Sequence, residues 1–351
     1  MHSAFRFQLR LSCDQENDLR SWAGMARVVW NLALAEQRAR HTRGEQYASY
    51  ASMCQWLTTW RNDPAHPWMS EAPVHTQQQV LRRLDQTFKK FFDNVKAGKK
   101  PGFPRFKKKG LEPGLRFPDK KHLALDAGNG RIKLPKLGWL RMRQSREVVG
   151  DLCNATITRE GARWFVSLQT EIADVVPAAG LEPTLGLDLG IANFITSSAG
   201  NFTPGCHALK ESARRLRRYQ KSVSRKVKGS NNRRKAVQRL ANMHRRIARQ
   251  RQDWCHKLST ELADQHPVIA MEDLKVANMS RSAAGTVDKP GKNVRQKARL
   301  NRTMLDQGWG LFQTMLKYKL QARAGQLVLV PASYTSQTCA ECGTVLPRGT
   351  R

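Results

Sequence analysis

Residues 4–11, Ala-Phe-Arg-Phe-Gln-Leu-Arg-Leu, alternate apolar and polar side chains and predict a strand with one buried face. After Asp14, a good helix-start residue, the period lengthens. Leu19, Trp22, Ala23, Ala26, Val29, Trp30, Ala33 and Leu34 recur at three- and four-residue spacing, which predicts a helix with one apolar face. A second helix is predicted after His75, with Val80, Leu81, Leu84, Phe88, Phe91, Phe92 and Val95 on its stripe; aromatic residues so placed read as core. Residues 115–170 change to short β-prone runs separated by Gly, Pro and Asn turns. Ala155–Thr158 and Trp164–Leu168 flank an Arg-Glu-Gly turn and predict a hairpin. These runs, with the N-terminal strand, predict a small barrel-like β module. Residues 174–184, rich in Pro, Ala and Gly, read as a linker.

The second half places two acids at apolar strands. Asp188 lies inside Leu185-Gly-Leu-Asp-Leu189, flanked by Gly186 and Gly190, and Glu272 ends the run Val268-Ile-Ala-Met271. Between them Leu209, Ala213, Leu216, Tyr219 and Val223 form a helical stripe. Lys228-Gly-Ser-Asn-Asn232 interrupts it, and Val237, Leu240, Ile247, Trp254 and Leu258 resume it, so residues 208–260 predict a helical hairpin. Residues 280–300 are polar and contain Gly and Pro, as a mobile loop would. One helix carrying Leu305, Trp309, Phe312, Leu316 and Leu320 is then predicted to stop at Gly325, before a strand at Leu327–Val330. The order of elements around the two acids fits an RNase H-like α/β domain.

Charge narrows the partners. The 351 residues include 61 Lys+Arg against 28 Asp+Glu, a net charge of +33, which calls for a polyanion. Nucleic acid leads; an anionic membrane surface is the rival. No apolar run reaches membrane-spanning length, and the N-terminus lacks the apolar core of a signal peptide. The seven Cys form no dense framework and suit a reducing, intracellular compartment. The predicted hairpin holds 18 Lys+Arg against Glu211 and Asp253; Arg214, Arg218, Arg225, Arg233, Arg234, Arg245 and Arg246 are candidate phosphate contacts. A second basic segment, residues 96–110, interleaves cations with Phe103 and Phe106, and Pro101 and Pro104 forbid a helix there. It reads either as a solvated loop or as an extended strip in which Lys99, Lys100, Arg105, Lys107 and Lys108 track phosphates while bases stack on the rings.

A carboxylate in an apolar strand is costly unless it is paired, protonated or bound to a cation. Asp188 and Glu272 therefore read either as acids satisfied by Arg or backbone N–H groups, or as a carboxylate pair for Mg²⁺ or Mn²⁺. Cys339-Ala-Glu-Cys342 supplies two thiolates at zinc-ligand spacing, half of a tetrahedral set.

The sequence resembles the OrfB/TnpB family of transposon-encoded, RNA-guided nucleases, relatives of the type V CRISPR effectors. Gly186-Leu-Asp-Leu-Gly190 matches the first RuvC motif and Met271-Glu-Asp-Leu274 the second. Leu305-Asp-Gln-Gly-Trp-Gly-Leu-Phe312, the run Leu316-Lys-Tyr-Lys319, and Ser333-Tyr-Thr-Ser-Gln-Thr-Cys-Ala-Glu-Cys-Gly343 match the approach to the family's zinc ribbon. Gly102-Phe-Pro-Arg-Phe-Lys-Lys-Lys109 and the N-terminal strand and helix also fit, so the resemblance spans essentially the whole chain.

The resemblance implies a multidomain α/β protein. Residues 1–12 and 105–178 would form a wedge β-barrel, residues 13–104 an inserted helical recognition lobe, and residues 181–338 an RNase H-like RuvC domain. Residues 339–351 would be the first half of a zinc ribbon. It implies two-metal phosphodiester hydrolysis, with Asp188 bridging both Mg²⁺ (or Mn²⁺) ions and Glu272 holding one. It also implies a guide RNA from the transposon end, a double-stranded DNA target, a monomeric ribonucleoprotein and a cytoplasmic, nucleoid-associated location in a prokaryote. The family pattern continues with a second CxxC and a final catalytic Asp. The sequence up to Arg351 holds neither, so it reads as C-terminally truncated, with zinc at Cys339 and Cys342 and full nuclease activity both in question. The expected function is RNA-guided DNA binding and Mg-dependent cleavage, impaired by the missing acid. The alternatives are a nuclease-deficient, repressor-like RNA-guided DNA binder or a transposase remnant.

Overall fold

The computed structural model describes residues 2–110, 113–173 and 184–332. They fall into two compact units, Met1–Asp174 and Val175–Arg351, divided within the stretch read as a linker. No helix among the described residues is long and apolar enough to cross a membrane.

In the first unit, strand β1 (His2–Arg10) leads into helix α1 (Cys13–Thr42). The helix starts two residues earlier than Asp14 suggests, because Ser12 caps it: Gln15 N–H donates to Ser12 Oγ, and Ser12 N–H donates to Gln15 Oε1. The whole predicted stripe from Leu19 to Leu34 is buried. Helix α2 (Tyr50–Asn62) was not predicted; only Met53 and Leu57 are buried on it, too sparse a period to stand out. Helix α3 (Val74–Lys96) buries Val80, Leu81, Leu84 and Phe88, but Phe92 and Val95 are exposed because the last turns run past the core.

Strands β2 (Leu115–Phe117), β3 (Ala124–Asp126), β4 (Arg131–Leu134), β5 (Gly138–Arg143), β6 (Asp151–Glu160) and β7 (Arg163–Glu171) join β1 in one antiparallel sheet, ordered β2-β6-β7-β1-β5-β4-β3. The predicted hairpin is β6–β7, turning at Gly161 with φ +67°. The sheet is open where a barrel was expected. Its edges, β2 and β3, are three-residue strands that do not pair with each other among the described residues. Its inner face (Phe5, Phe7, Leu9, Ile132, Leu140, Val166, Leu168) and the buried stripes of α1 and α3 share one core.

In the second unit, β8 (Leu185–Asp188), β9 (Ile195–Ser197) and β10 (Phe202–Thr203) are antiparallel neighbours. Helices α4 (Ala208–Ser224) and α5 (Asn231–Gln265) form the expected hairpin, with Ser230 capping α5. Strand β11 (Val268–Glu272), helices α6 (Val276–Met279), α7 (Val294–Gln307) and α8 (Trp309–Gln321), and strand β12 (Gln326–Val330) follow. The sheet runs β10-β9-β8-β11-β12, with β8, β11 and β12 parallel.

The single helix expected from Leu305 to Leu320 is two helices. Gly308 adopts φ +79° between them, a left-handed conformation that ends α7 and shifts the helical phase. Leu305 is consequently exposed, while Trp309, Phe312, Leu316 and Leu320 are buried. The core packs Leu185, Leu187, Ile269 and Met271 of the sheet against α5 and α8. Phe312 sits at its centre, edge-on to Phe194 at 5.2 Å, and Phe194 meets Trp254 at 4.6 Å. Phe312→Ala is expected to destabilise this unit by about 3–5 kcal/mol in a urea titration, since a fully buried ring leaves a cavity that its surroundings fill only in part.

Candidate metal centre and nucleic-acid interface

The parallel register between β8 and β11 brings the two acids together. Leu185, Gly186 and Leu187 pair with Ile269, Ala270 and Met271, and Asp188 and Glu272 are the next residues on their strands. Adjacent strands lie about 4.8 Å apart. Side chains alternate between faces, so Leu187 and Met271 point into the helix-covered core while Asp188 and Glu272 share the opposite face. Thr196 pairs with Asp188 and Val330 with Glu272, which completes one row across four strands. Asp188 is exposed and Glu272 half-buried.

Asp273, the neighbouring acid, does not join them. Its N–H donates to Val330 O at 2.8 Å, and its carboxylate is paired with Lys275. Gly190 admits a tight return of the chain: a Cβ there would meet Asn193 O at 2.8 Å, and Gly190 N–H donates to Phe194 O. Among the described residues, no three His, Cys, Asp or Glu converge on one point. Two carboxylates on one face of adjacent strand ends fit a hard divalent cation that keeps water or substrate oxygens as its other ligands. Cys339 and Cys342 lie outside the described residues.

The basic strip is extended and pinned rather than loose. Trp30 Nε1 donates to Arg105 O, Asn31 Nδ2 donates to Lys107 O, and Lys107 N–H donates back to Asn31 Oδ1 at 2.8 Å. Phe103 packs edge-on against Phe88 and Phe91, and Arg38 lies over both Phe103 and Phe106, 5.1 and 4.7 Å from the ring centres. Phe103 and Phe106 nevertheless remain 42% and 45% exposed. Lys99, Lys100, Arg105 and Lys108 are exposed; Lys107 is drawn over the Trp30 ring at 4.6 Å.

On the hairpin, Arg214, Arg218, Arg225, Arg234 and Arg246 are exposed, and Arg245 is half-buried with its guanidinium on Asn242. Arg233 differs. Its Nη1 donates to Val223 O at 2.7 Å and Lys226 O at 3.1 Å, so the guanidinium closes the end of α4.

Sequence reasoning missed two features. The first is a cross-strand row on the outer face of the seven-stranded sheet, where Arg10 pairs with Arg141 and Arg141 with Arg131. Like charges directly opposite are destabilising, and among the described residues Arg131 is relieved by Asp126. Alternation places each Arg outward, but register alone aligns them. The second is the end of α7. Asp306 accepts from the N–H groups of Leu209 and Lys210 and from Arg251 Nη2 at 2.6 Å, which caps α4 and ties it to α5. Asp306→Ala would leave a largely buried guanidinium unpaired and is expected to cost about 3 kcal/mol, read as a lower urea midpoint.

The fold is the mixed α/β fold of a solved chain titled "Cryo-EM structure of the Cas12f1-sgRNA-target DNA complex": the TM-score is 0.60 at 12% identity, over 98% of this chain and 92% of that one. Residues 167–283 match the family model OrfB_IS605, described as "Probable transposase". Residues 309–351 match "Cas12f1-like, TNB domain" and residues 1–46 match "Helix-turn-helix domain", a range that here holds β1 and the single helix α1.

A protein of Escherichia coli (strain K12), "Putative RNA-guided DNA endonuclease InsQ", is 43% identical over 97% of this chain and 83% of its own length. One from Streptomyces pristinaespiralis, "Putative RNA-guided DNA endonuclease", is 32% identical over 97% of this chain and 81% of its own length. The chain belongs to the OrfB (IS605) family of transposon-encoded proteins.

Proposed function

We propose that the chain is an RNA-guided, divalent-metal-dependent DNA endonuclease whose cleavage centre is the Asp188–Glu272 pair. The observation that carries this reading is the β8–β11 register, which sets two acids 84 positions apart side by side on the face away from the core. The names of the relatives point to the same activity. In this reading the second unit is an RNase H-like RuvC domain. The first unit's sheet serves as the wedge and residues 13–104 as the recognition lobe. The functional unit is a monomer carrying guide RNA and acting on double-stranded DNA in the prokaryotic cytoplasm.

Asp188 and Glu272 would hold Mg²⁺ or Mn²⁺. When bound, such ions activate water and stabilise the leaving oxygen of a phosphodiester. The chain's own part is placement. The strand ends fix both carboxylates, and Thr196 and Val330 flank them in the same row. Exposed cations on α4 and α5 neutralise backbone phosphates, and the strip at residues 99–108 offers guanidinium-backed rings to unpaired bases. Base pairing with the guide, rather than contacts from the protein, would read the target sequence.

The test is to purify the chain with its bound RNA, sequence that RNA, and offer a plasmid carrying the complementary site with Mg²⁺ or with EDTA. Cutting at that site with Mg²⁺ alone supports the proposal. Intact plasmid under both conditions, with RNA bound, refutes it.

A further inference from the structure

Gln307 is only 3% exposed and is the last residue of α7. Its Nε2 donates at 3.0 Å to the carbonyl of Ile191, 116 positions away and three residues past Asp188. The other end of the amide has no such partner: Oε1 is buried without a hydrogen bond. Gly205 lies against that oxygen, and a Cβ there would approach it to 2.5 Å. A buried amide oxygen left unsatisfied costs free energy, so packing alone would favour Met or Leu at this position.

What the amide does accomplish is to hold the turn that leaves Asp188. Within that turn, Gly190 N–H reaches Phe194 O only at 3.3 Å. The tether also starts from a fixed base, since the adjacent Asp306 is locked onto α4 and Arg251.

We propose that Gln307 is a positioning residue for Asp188: by holding the Ile191 carbonyl it fixes the β8–β9 turn and keeps the Asp188 carboxylate beside Glu272. The inference rests on the metal-centre reading above. Gln307 touches neither metal nor substrate and acts through the backbone. Groups that orient metal ligands typically govern affinity tenfold to a hundredfold. A backbone tether three residues from the ligand is expected to govern about fivefold to tenfold.

Two variants disturb the tether by different routes. Gln307→Met keeps the volume and removes both the donor and the unsatisfied acceptor. Gly205→Ala leaves Gln307 in place but pushes its amide away from Ile191. Both are compared with Asp188→Ala in the full chain by Mn²⁺ titration followed by electron paramagnetic resonance, by hydrogen exchange and by thermal unfolding.

Both variants are expected to weaken Mn²⁺ binding about fivefold to tenfold. Exchange should rise in residues 189–194 but not in α5 or β11, with a melting midpoint within about 2 °C of the parent. Unchanged Mn²⁺ affinity and unchanged local exchange in Gln307→Met, while Asp188→Ala loses binding, would overturn the inference. So would a large drop in melting midpoint with exchange raised throughout the unit, which marks a packing role. If Asp188→Ala itself retains Mn²⁺, the metal-centre reading is what fails, and exchange at 189–194 still decides whether Gln307 holds the turn.

Discussion

Asp188→Asn is expected to lower Mg²⁺-dependent DNA cleavage by about a thousandfold or more while leaving RNA affinity within about twofold. The substitution is nearly isosteric and removes one negative charge from a strand end whose side chain is exposed and outside the core, so the fold has little reason to change. Metal affinity has every reason to change, because hard cations are held by carboxylate charge. Glu272→Gln should act on the same ion. If both acids serve one site, the double variant loses less Mn²⁺ affinity than the two single losses added together, because ligands of one ion do not act independently. Asp273→Asn is the contrasting case. Its carboxylate is engaged with Lys275, so cleavage should stay within about threefold of the parent. Equal losses at Asp273 and Glu272 would contradict the choice of Glu272 over Asp273 as the second acid.

Replacing Arg214, Arg218 and Arg225 together by Gln should cut RNA affinity about tenfold to a hundredfold and flatten the plot of log K against log salt by about 2–3 units. All three are exposed. The spacing of four residues puts Arg214 and Arg218 on one face of α4, and Arg225 follows at its C-cap, so a single backbone could meet them in succession. Filter binding across 50–300 mM salt reads both quantities. Arg233→Gln should behave differently: with its guanidinium closing α4, loss of those bonds lowers the melting midpoint and leaves the slope nearly unchanged. A slope change as large for Arg233 as for an exposed arginine would show that it contacts phosphate after all.

Period and punctuation carried much of the fold. Strand β1, the stripe of α1, the β6–β7 hairpin and the α4–α5 hairpin each follow from residues within a short window, because local side-chain alternation and turn chemistry set them. Helix α2 escaped because Tyr, Thr, Trp and Cys are weak helix formers and two buried residues make no stripe. The break at Gly308 escaped because apolar residues continue on both sides of it, and only the backbone angle reveals the phase shift. The barrel expectation went wrong at the edges, since β propensity says that strands form but not whether the first meets the last.

The site was legible as residues but not as geometry. Asp188 and Glu272 stood out because charge in an apolar strand is expensive. That they lie side by side on one face depends on register between strands far apart in sequence. The arginine row across β1, β5 and β4 and the reach of Gln307 to Ile191 are likewise long-range pairings with no local signature. Arg233 shows the converse: a basic residue in a basic segment that folding uses for a helix end.

Guide exchange tests the central claim most directly. The chain is loaded in turn with two RNAs that share their scaffold and differ only in the guide segment, then given Mg²⁺ and a plasmid carrying both complementary sites. The account predicts that the cut moves with the guide, disappears with Asp188→Asn, and disappears again with EDTA. A cut that stays in one place whichever guide is loaded, or that survives the loss of Asp188, would contradict it.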